Sequence, residues 1–187
     1  MMTDEKKSAP RHAKPDAEKK RKKPDGNLAI LLRFLLKLAI IAAISWALLT
    51  FVLGVFVCHS NDMFPAVRDG DLVITWRLQK AQKDSIAAYR YQGKRYFGRI
   101  VAVAGDVVDI GGENGYTVNG MTPNETIYYD TRLPEDSPVS YPYTVQEGEI
   151  FVLSDLRSNM RDSREFGPIL LKDTDGCLAL LMRRRGW

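Results

Sequence analysis

Ser60 and Asp62 are the residues that type and neighbourhood place best for chemistry. They lie in the run His59, Ser60, Asn61, Asp62, Met63, Phe64, Pro65, which leads into Arg68, Asp69, Gly70 and Asp71 directly after an apolar segment. A hydroxyl such as that of Ser60 becomes an acyl nucleophile only beside a group that takes its proton. Nothing in the spacing sets such a group against its hydroxyl, and a turn serine that caps local backbone is an equal reading. Asp62 has the opposite difficulty: a carboxyl with a reference pKa of about 3.9 is ionised at neutral pH and attacks acyl carbons poorly. Two carboxylates sharing one environment can act as an acid/base couple through water, and Asp62 with Asp155 or Asp162 is the pair on offer, although nothing in the spacing demands it.

Two later stretches stand out. One is Tyr96, Phe97, Gly98, Arg99, Ile100, Val101, Ala102, Val103, Ala104, Gly105, Asp106, an apolar strand pattern ending in a turn. The other runs from Ser154 to Gly167 and carries Asp155, Arg157, Asp162, Ser163 and Arg164. Alternating acids and arginines over ten residues read as a charge-assisted network that holds a loop.

The elements that must position these residues follow from hydropathy and turn chemistry. Residues 38–57 contain 20 positions without a charge, and a helix rising about 1.5 Å per residue would cross about 30 Å of hydrocarbon with them. The sequence therefore predicts an uncleaved transmembrane anchor over residues 28–57. Arg33 and Lys37 extend its start, and no small-x-small cleavage site follows it. Residues 1–37 hold 11 Lys/Arg against 5 Asp/Glu, which by the positive-inside rule puts the N-terminus in the cytoplasm and residues 58–187 outside the cell membrane. The tail, residues 1–27, has almost no large apolar side chains and is expected to be disordered.

Beyond the anchor, Leu72 to Trp76, Ile86 to Tyr91, Tyr96 to Val103, Val107 to Ile110, Tyr116 to Val118, Ile150 to Leu153 and Cys177 to Met182 read as strands. Asn119 and Gly120 form a type I′ turn signal. Met121 to Pro142, with four prolines, reads as a surface excursion. The domain is expected to be mainly β.

Composition excludes other classes. The formal charge of +4 belongs to the tail, because the remaining 150 residues carry 16 basic and 18 acidic groups, so a basic nucleic-acid face has no support. Cys58 and Cys177 make no disulfide framework and are expected to be free and buried. His12 and His59 are the only histidines, which leaves no metal-ligand spacing; no cofactor is expected.

In order and spacing, the three stretches resemble the boxes of the bacterial type I signal peptidases, the S26 family, over about residues 28–180. The resemblance implies a LexA/signal peptidase type antiparallel β domain behind one N-terminal transmembrane helix. It also exposes departures. The family's nucleophilic serine precedes the methionine of the first box, where this chain has Asp62. Its general-base lysine precedes the arginine of the second box, where this chain has Gly98. Its lysine-orienting serine corresponds to Met160. A lysine serves as base only when neutral, through burial or a neighbouring cation, and glycine cannot replace it. Ser60, at the family's oxyanion-donor position, Met63, Pro65 and Arg99 match the family pattern, and together with Met160 they are the expected groove residues. Losing the lysine should leave space beside Gly98, and Met160 or Phe64 is expected to fill it.

The resemblance therefore implies a non-catalytic homologue, similar to the dyad-less signal-peptidase-like proteins of Gram-positive pilus assembly. Its implied partners are a pilin or other secreted precursor polypeptide, membrane lipid and a sortase. The alternatives are an active signal peptidase I, a serine endopeptidase processing exported preproteins, and a membrane-surface scaffold without a peptide groove.

Overall fold

The structure is a computed structural model and describes residues 26–111, 115–124 and 129–183. The expectation of disorder for the tail falls, over residues 1–25, outside those residues. By its internal contacts the chain forms two units, Met1–Ile40 and Ile41–Trp187.

Helix α1, Asn27–Ala47, has no buried residue and continues as a π-helical segment, Leu48–Val52. Asn27–Val52 is thus one apolar helical stretch of 26 residues, long enough to cross a membrane. At about 1.5 Å per residue it measures about 39 Å, more than a hydrocarbon core needs, so Arg33 and Lys37 in its first half can reach a headgroup layer.

The span does not run to Val57. Residues Leu53–Val57 form strand β1, paired antiparallel with β2, Leu72–Trp76, from Leu53 opposite Trp76 to Val57 opposite Leu72. Hydropathy cannot see this boundary, because Val55, Phe56 and Val57 suit a strand as well as a bilayer. Gly54 marks it instead: a Cβ there would lie 2.5 Å from Oγ1 of Thr75 and 2.5 Å from the Phe56 ring, so only glycine permits this close pairing.

The remaining elements are β3 (Ile86–Tyr91), β4 (Lys94–Val103), β5 (Val107–Ile110), β6 (Tyr116–Val118), β7 (Tyr143–Thr144), β8 (Glu149–Leu153), α2 (Ser163–Phe166), β9 (Ile169–Leu170), a 3₁₀ turn (Leu171–Asp173) and β10 (Thr174–Met182). They build a seven-stranded sheet in the order β1-β2-β10-β3-β4-β8-β9 and a three-stranded sheet in the order β6-β5-β7, all antiparallel. Every strand expected from the sequence is present. The Asn119–Gly120 turn has both residues at positive φ, as type I′ requires, yet it closes on a single bridge, Val118 to Met121, while β6 pairs with β5. The described part of the 121–142 excursion has no regular element before its end.

The turn that matters for the site is Gln92–Gly93, also with both φ positive, which joins β3 to β4. A two-residue hairpin loop fixes register: Tyr91 faces Lys94, Tyr89 faces Tyr96 and Ala87 faces Gly98. Tyr89, Ala87, Ile100, Val152 and Ile150 form one buried cluster, and Met63, Val67, Cys58, Val73, Ala88 and Phe97 form another beneath the loop that follows β1. Cys58 and Cys177 are both free and buried, and burial raises both thiols above their ordinary pKa.

Candidate functional site

The loop after β1 is tied down from within. Cys58 N–H donates to the Asp71 carbonyl (2.9 Å) and Gly70 N–H to the Cys58 carbonyl (2.9 Å), closing the loop at its base. Inside it, Phe64 N–H donates to the Asn61 carbonyl, Asp69 N–H to Oδ1 of Asn61 and Val67 N–H to the Met63 carbonyl. Met63 points into the core, whereas Phe64 is exposed, with the Arg68 guanidinium 5.1 Å from its ring centre, and Pro65 is exposed at the loop surface.

Asp62 is buried, with 2% of its surface exposed. Its Oδ1 accepts from Nδ2 of Asn159, its carbonyl accepts from Leu156 N–H (2.9 Å), and the Arg161 guanidinium stands 3.7 Å away. The first-box loop and the Ser154–Gly167 loop are thus stitched together through this one residue. Asp62 opens onto a cleft of about 570 Å³ lined by Val55, Phe56 and Val57 of β1, His59, Ser60, Lys94 to Phe97 of β4, and Arg161.

Two unpaired strand edges bound this cleft. β1 pairs only with β2, at the end of the seven-stranded order. β4 pairs with β8 only from Arg99 to Val103, so residues 94–98 have a partner on the β3 side alone. The Arg95 guanidinium lies 3.7 Å from the Phe56 ring centre and bridges the two strands by a cation–π contact. Extended backbone with free N–H and C=O groups on both walls can take in another extended segment.

The space beside Gly98 is already full. A Cβ there would lie 3.1 Å from Cβ of Val152 and 3.2 Å from Cε1 of Tyr89. The expectation that Met160 or Phe64 fills it is corrected: the filler is Tyr89, fully buried, whose hydroxyl donates to the Arg161 carbonyl (3.3 Å). Burial first, and then the Asp162 and Asp62 charges, push its phenol pKa well above the ordinary value, so Tyr89 is a neutral donor and not a base. Met160 lies elsewhere, in a recess of about 410 Å³ with Tyr129, Asp130, Arg132, Arg157 and Ser158.

The Ser154–Gly167 loop is built around Asp162, the N-cap of α2, and Arg164, both fully buried. Oδ1 of Asp162 accepts from Arg164 N–H (3.0 Å) and Nε (2.9 Å). Oδ2 accepts from Nη2 of Arg164 (2.7 Å) and from Ser154 N–H (2.9 Å), and lies 2.7 Å from Oγ of Ser154. Arg164 also donates to the carbonyls of Arg132, Arg157 and Asn159, while Ser163 Oγ accepts from Val152 N–H. Arg157 is buried, with Nη1 3.0 Å from Oγ1 of Thr131 and its guanidinium over the Tyr116 ring. Arg99 reaches Asp155 with two bonds of 2.8 and 2.6 Å and the Asp84 carbonyl with a third.

Of the expected groove residues, therefore, Ser60 lines the cleft, Met63 is core, Pro65 is outer surface, Arg99 belongs to an ion pair and Met160 lines a different recess. Asp62, Asp155 and Asp162 are each engaged by different partners, which is not the shared-proton arrangement an acid/base couple needs. His59, Ser60 and Lys94 all line the cleft, and among the described residues no hydrogen bond joins them; the Ser60 hydroxyl sits by the Cys58 thiol. Among the described residues, no group of three His, Cys, Asp or Glu could hold a metal ion. Sequence reasoning missed Tyr89 and β1. The available signal for Tyr89 was the Gln92–Gly93 dipeptide, from which its position near Gly98 could have been counted.

Comparison with known proteins gives the family of the chain. Residues 31–182 match the family model described as signal peptidase, peptidase S26. A Staphylococcus aureus protein named inactive signal peptidase IA is 28% identical over 160 residues, 80% of this chain and 90% of the relative. A Mycobacterium tuberculosis signal peptidase I is 34% identical over 83 residues, 40% of this chain and 28% of the relative. A crystal structure of a signal peptidase I from Enterococcus faecalis overlays with a TM-score of 0.44 at 25% identity, covering 54% of this chain and 98% of that one.

Proposed function

Because the chain belongs to the signal peptidase family through residues 31–182, we propose that it is a membrane-anchored, non-cleaving member that holds an extended precursor peptide between β1 and residues 94–98 of β4. One observation carries this: the cleft keeps two unpaired strand edges and the space beside Gly98 is covered by Tyr89, while the positions that by resemblance would attack and deprotonate hold Asp62 and that glycine. Strand addition needs a backbone edge and apolar side chains along it, both present at Val55 and Val57, and it needs no base. The S. aureus relative's name, inactive signal peptidase IA, supports the same reading.

The apolar span Asn27–Val52 serves as a single-pass anchor, with the basic N-terminus in the cytoplasm and the β domain outside, as the excess of 11 basic over 5 acidic residues in positions 1–37 supports. Resemblance to the dyad-less proteins of pilus assembly makes the bound segment a pilin or other secreted precursor, held for a sortase.

The test uses the full chain in detergent micelles with a fluorescent precursor peptide. Saturable binding without cleavage is expected. Cleavage that disappears in Asp62→Ala would overturn the reading. The second reading, an active serine endopeptidase, is favoured by one feature, the presence of His59, Ser60 and Lys94 in the lining of one cleft; it requires cleavage that disappears in Ser60→Ala.

A further inference from the structure

A buried carboxylate at one end of the large sheet gathers more positive charge than it can neutralise. Asp175, with 5% of its side chain exposed, accepts Nε (3.0 Å) and Nη2 (2.8 Å) of Arg90 and Nε of Arg95 (2.9 Å). Burial alone would raise its pKa, but the Arg90 and Arg95 hydrogen bonds and charges reverse this and hold it below the usual carboxylate range. A third guanidinium, that of Arg77, stands 3.8 Å away and makes no hydrogen bond; its Nε is buried without a partner. Among the described residues no other carboxylate pairs with any of the three, so three positive charges face one negative. Arg90 and Arg95 already satisfy both Asp175 oxygens. Arg77 is left with its Nη groups, which unlike Nε are not buried, available to another anion, and all three side chains are between 31% and 55% exposed.

Position says which anion. The Arg77 N–H donates to the carbonyl of Val52 (2.9 Å), the last residue of the apolar span. Trp76 and Leu78, on either side of Arg77, are 44% and 66% exposed. Exposed tryptophan and leucine around a cluster of arginines at the end of a hydrophobic span match the composition of a membrane–water interface. The Gln92–Gly93 turn places Lys94 at the same end of the sheet, because Arg90 and Arg95 are paired in register.

We propose that Arg77, with Arg90 and Arg95 behind it, is a site for the phosphate of an anionic phospholipid headgroup. The inference rests on the reading of Asn27–Val52 as a retained anchor and deepens it by naming a lipid class. Guanidinium forks suit phosphate oxygens, and each basic group near an anionic surface adds to the attraction.

The experiment places the full chain in phosphatidylcholine nanodiscs containing spin-labelled phosphatidylglycerol or spin-labelled phosphatidylcholine and measures the motionally restricted fraction of each. Phosphatidylglycerol should be preferred, and Arg77→Gln should cut the preference roughly fivefold, the contribution of about one basic residue at an anionic surface, the remainder being held by Arg33, Lys37 and the basic N-terminus. Arg77→Lys should leave an intermediate preference, and Lys172→Gln, on the 3₁₀ turn, should change nothing. Equal ratios in the wild type and Arg77→Gln overturn the site. Should Arg77→Gln misfold, as read by its melting in detergent, Arg77→Lys decides alone, a preference equal to wild type refuting the fork. Inorganic phosphate at constant ionic strength is the soluble-anion arm: if it stabilises the wild type and no phosphatidylglycerol preference exists, the lipid is the wrong source. An alkaline wash separates the premise from the site. A chain released from membranes sinks the anchor and the lipid site with it, whereas a retained chain without lipid preference sinks only the site.

Discussion

The Ser154–Gly167 loop and the cleft at Asp62 are made from the same residue types, and they are put to opposite uses. In the loop, Asp162 and Arg164 are fully buried and the carboxylate meets donors at both oxygens. In the cleft, Asp62 is tied to Asn159 while Lys94, His59 and an exposed Arg161 stand around an open space. A buried pair with saturated hydrogen bonds is a scaffold, because freeing either partner strands a charge away from water. An open, incompletely matched lining is where a ligand can contribute the missing partners. The same residue types thus hold a loop in one place and line an open cleft in the other.

The largest effect should come from breaking the saturated side. Arg164→Ala leaves Asp162 buried and uncompensated and should cost about 3–5 kcal/mol in denaturant unfolding, while Asp62→Ala, removing one buried acceptor, should cost about 1–3 kcal/mol. Equal losses would erase the distinction between the regions.

Next comes the plug. Gly98→Ala presses a methyl onto Val152 and Tyr89 and should cost about 1–3 kcal/mol, and at least about 1 kcal/mol less in a Tyr89→Ala background. For the same reason, Asp62→Ser with Gly98→Lys should not cleave a precursor peptide by itself; gel-resolved cleavage is expected only when Tyr89→Ala is added. Cleavage by the double variant would show that Tyr89 moves aside freely.

A smaller, pH-dependent effect lies outside both regions and calibrates them. Burial, and then the hydrogen bond to Glu149, push the Tyr143 hydroxyl up to about 12. A raised folded-state pKa gives stability that is complete below the unfolded value of about 10 and is lost as the pH rises through the folded one. The melting temperature should therefore fall between pH 10 and 12, and fall less in Tyr143→Phe. The smallest change in stability is expected for Lys94→Gln, within about 0.5 kcal/mol, with weaker binding of an acidic precursor peptide as its only clear consequence in a fluorescence titration.

Much of this was legible in the residue string. Strands from Leu72 to Met182 announced themselves by alternation and turn residues, and the Asp/Arg spacing of 155–164 pointed to the stretch in which Asp162 and Arg164 form a buried ion pair. What stayed hidden were relations between segments. Tyr89 fills the space at Gly98 only because of the β3–β4 register, and strand composition is silent on register unless the turn is read first. Leu53–Val57 looked like more membrane because hydropathy counts charges and cannot see Gly54 packed on Thr75.

That last boundary governs how the protein can be handled. Since the helical span passes into β1 without an intervening residue, a water-soluble fragment trimmed at Cys58, where the uncharged run stops, would discard one wall of the cleft and the Phe56 ring under Arg95. It would also bare the outer edge of β2, inviting self-association. Trimming at Leu53 keeps all seven strands and both walls of the cleft, so five amino acids decide whether a fragment still carries the site.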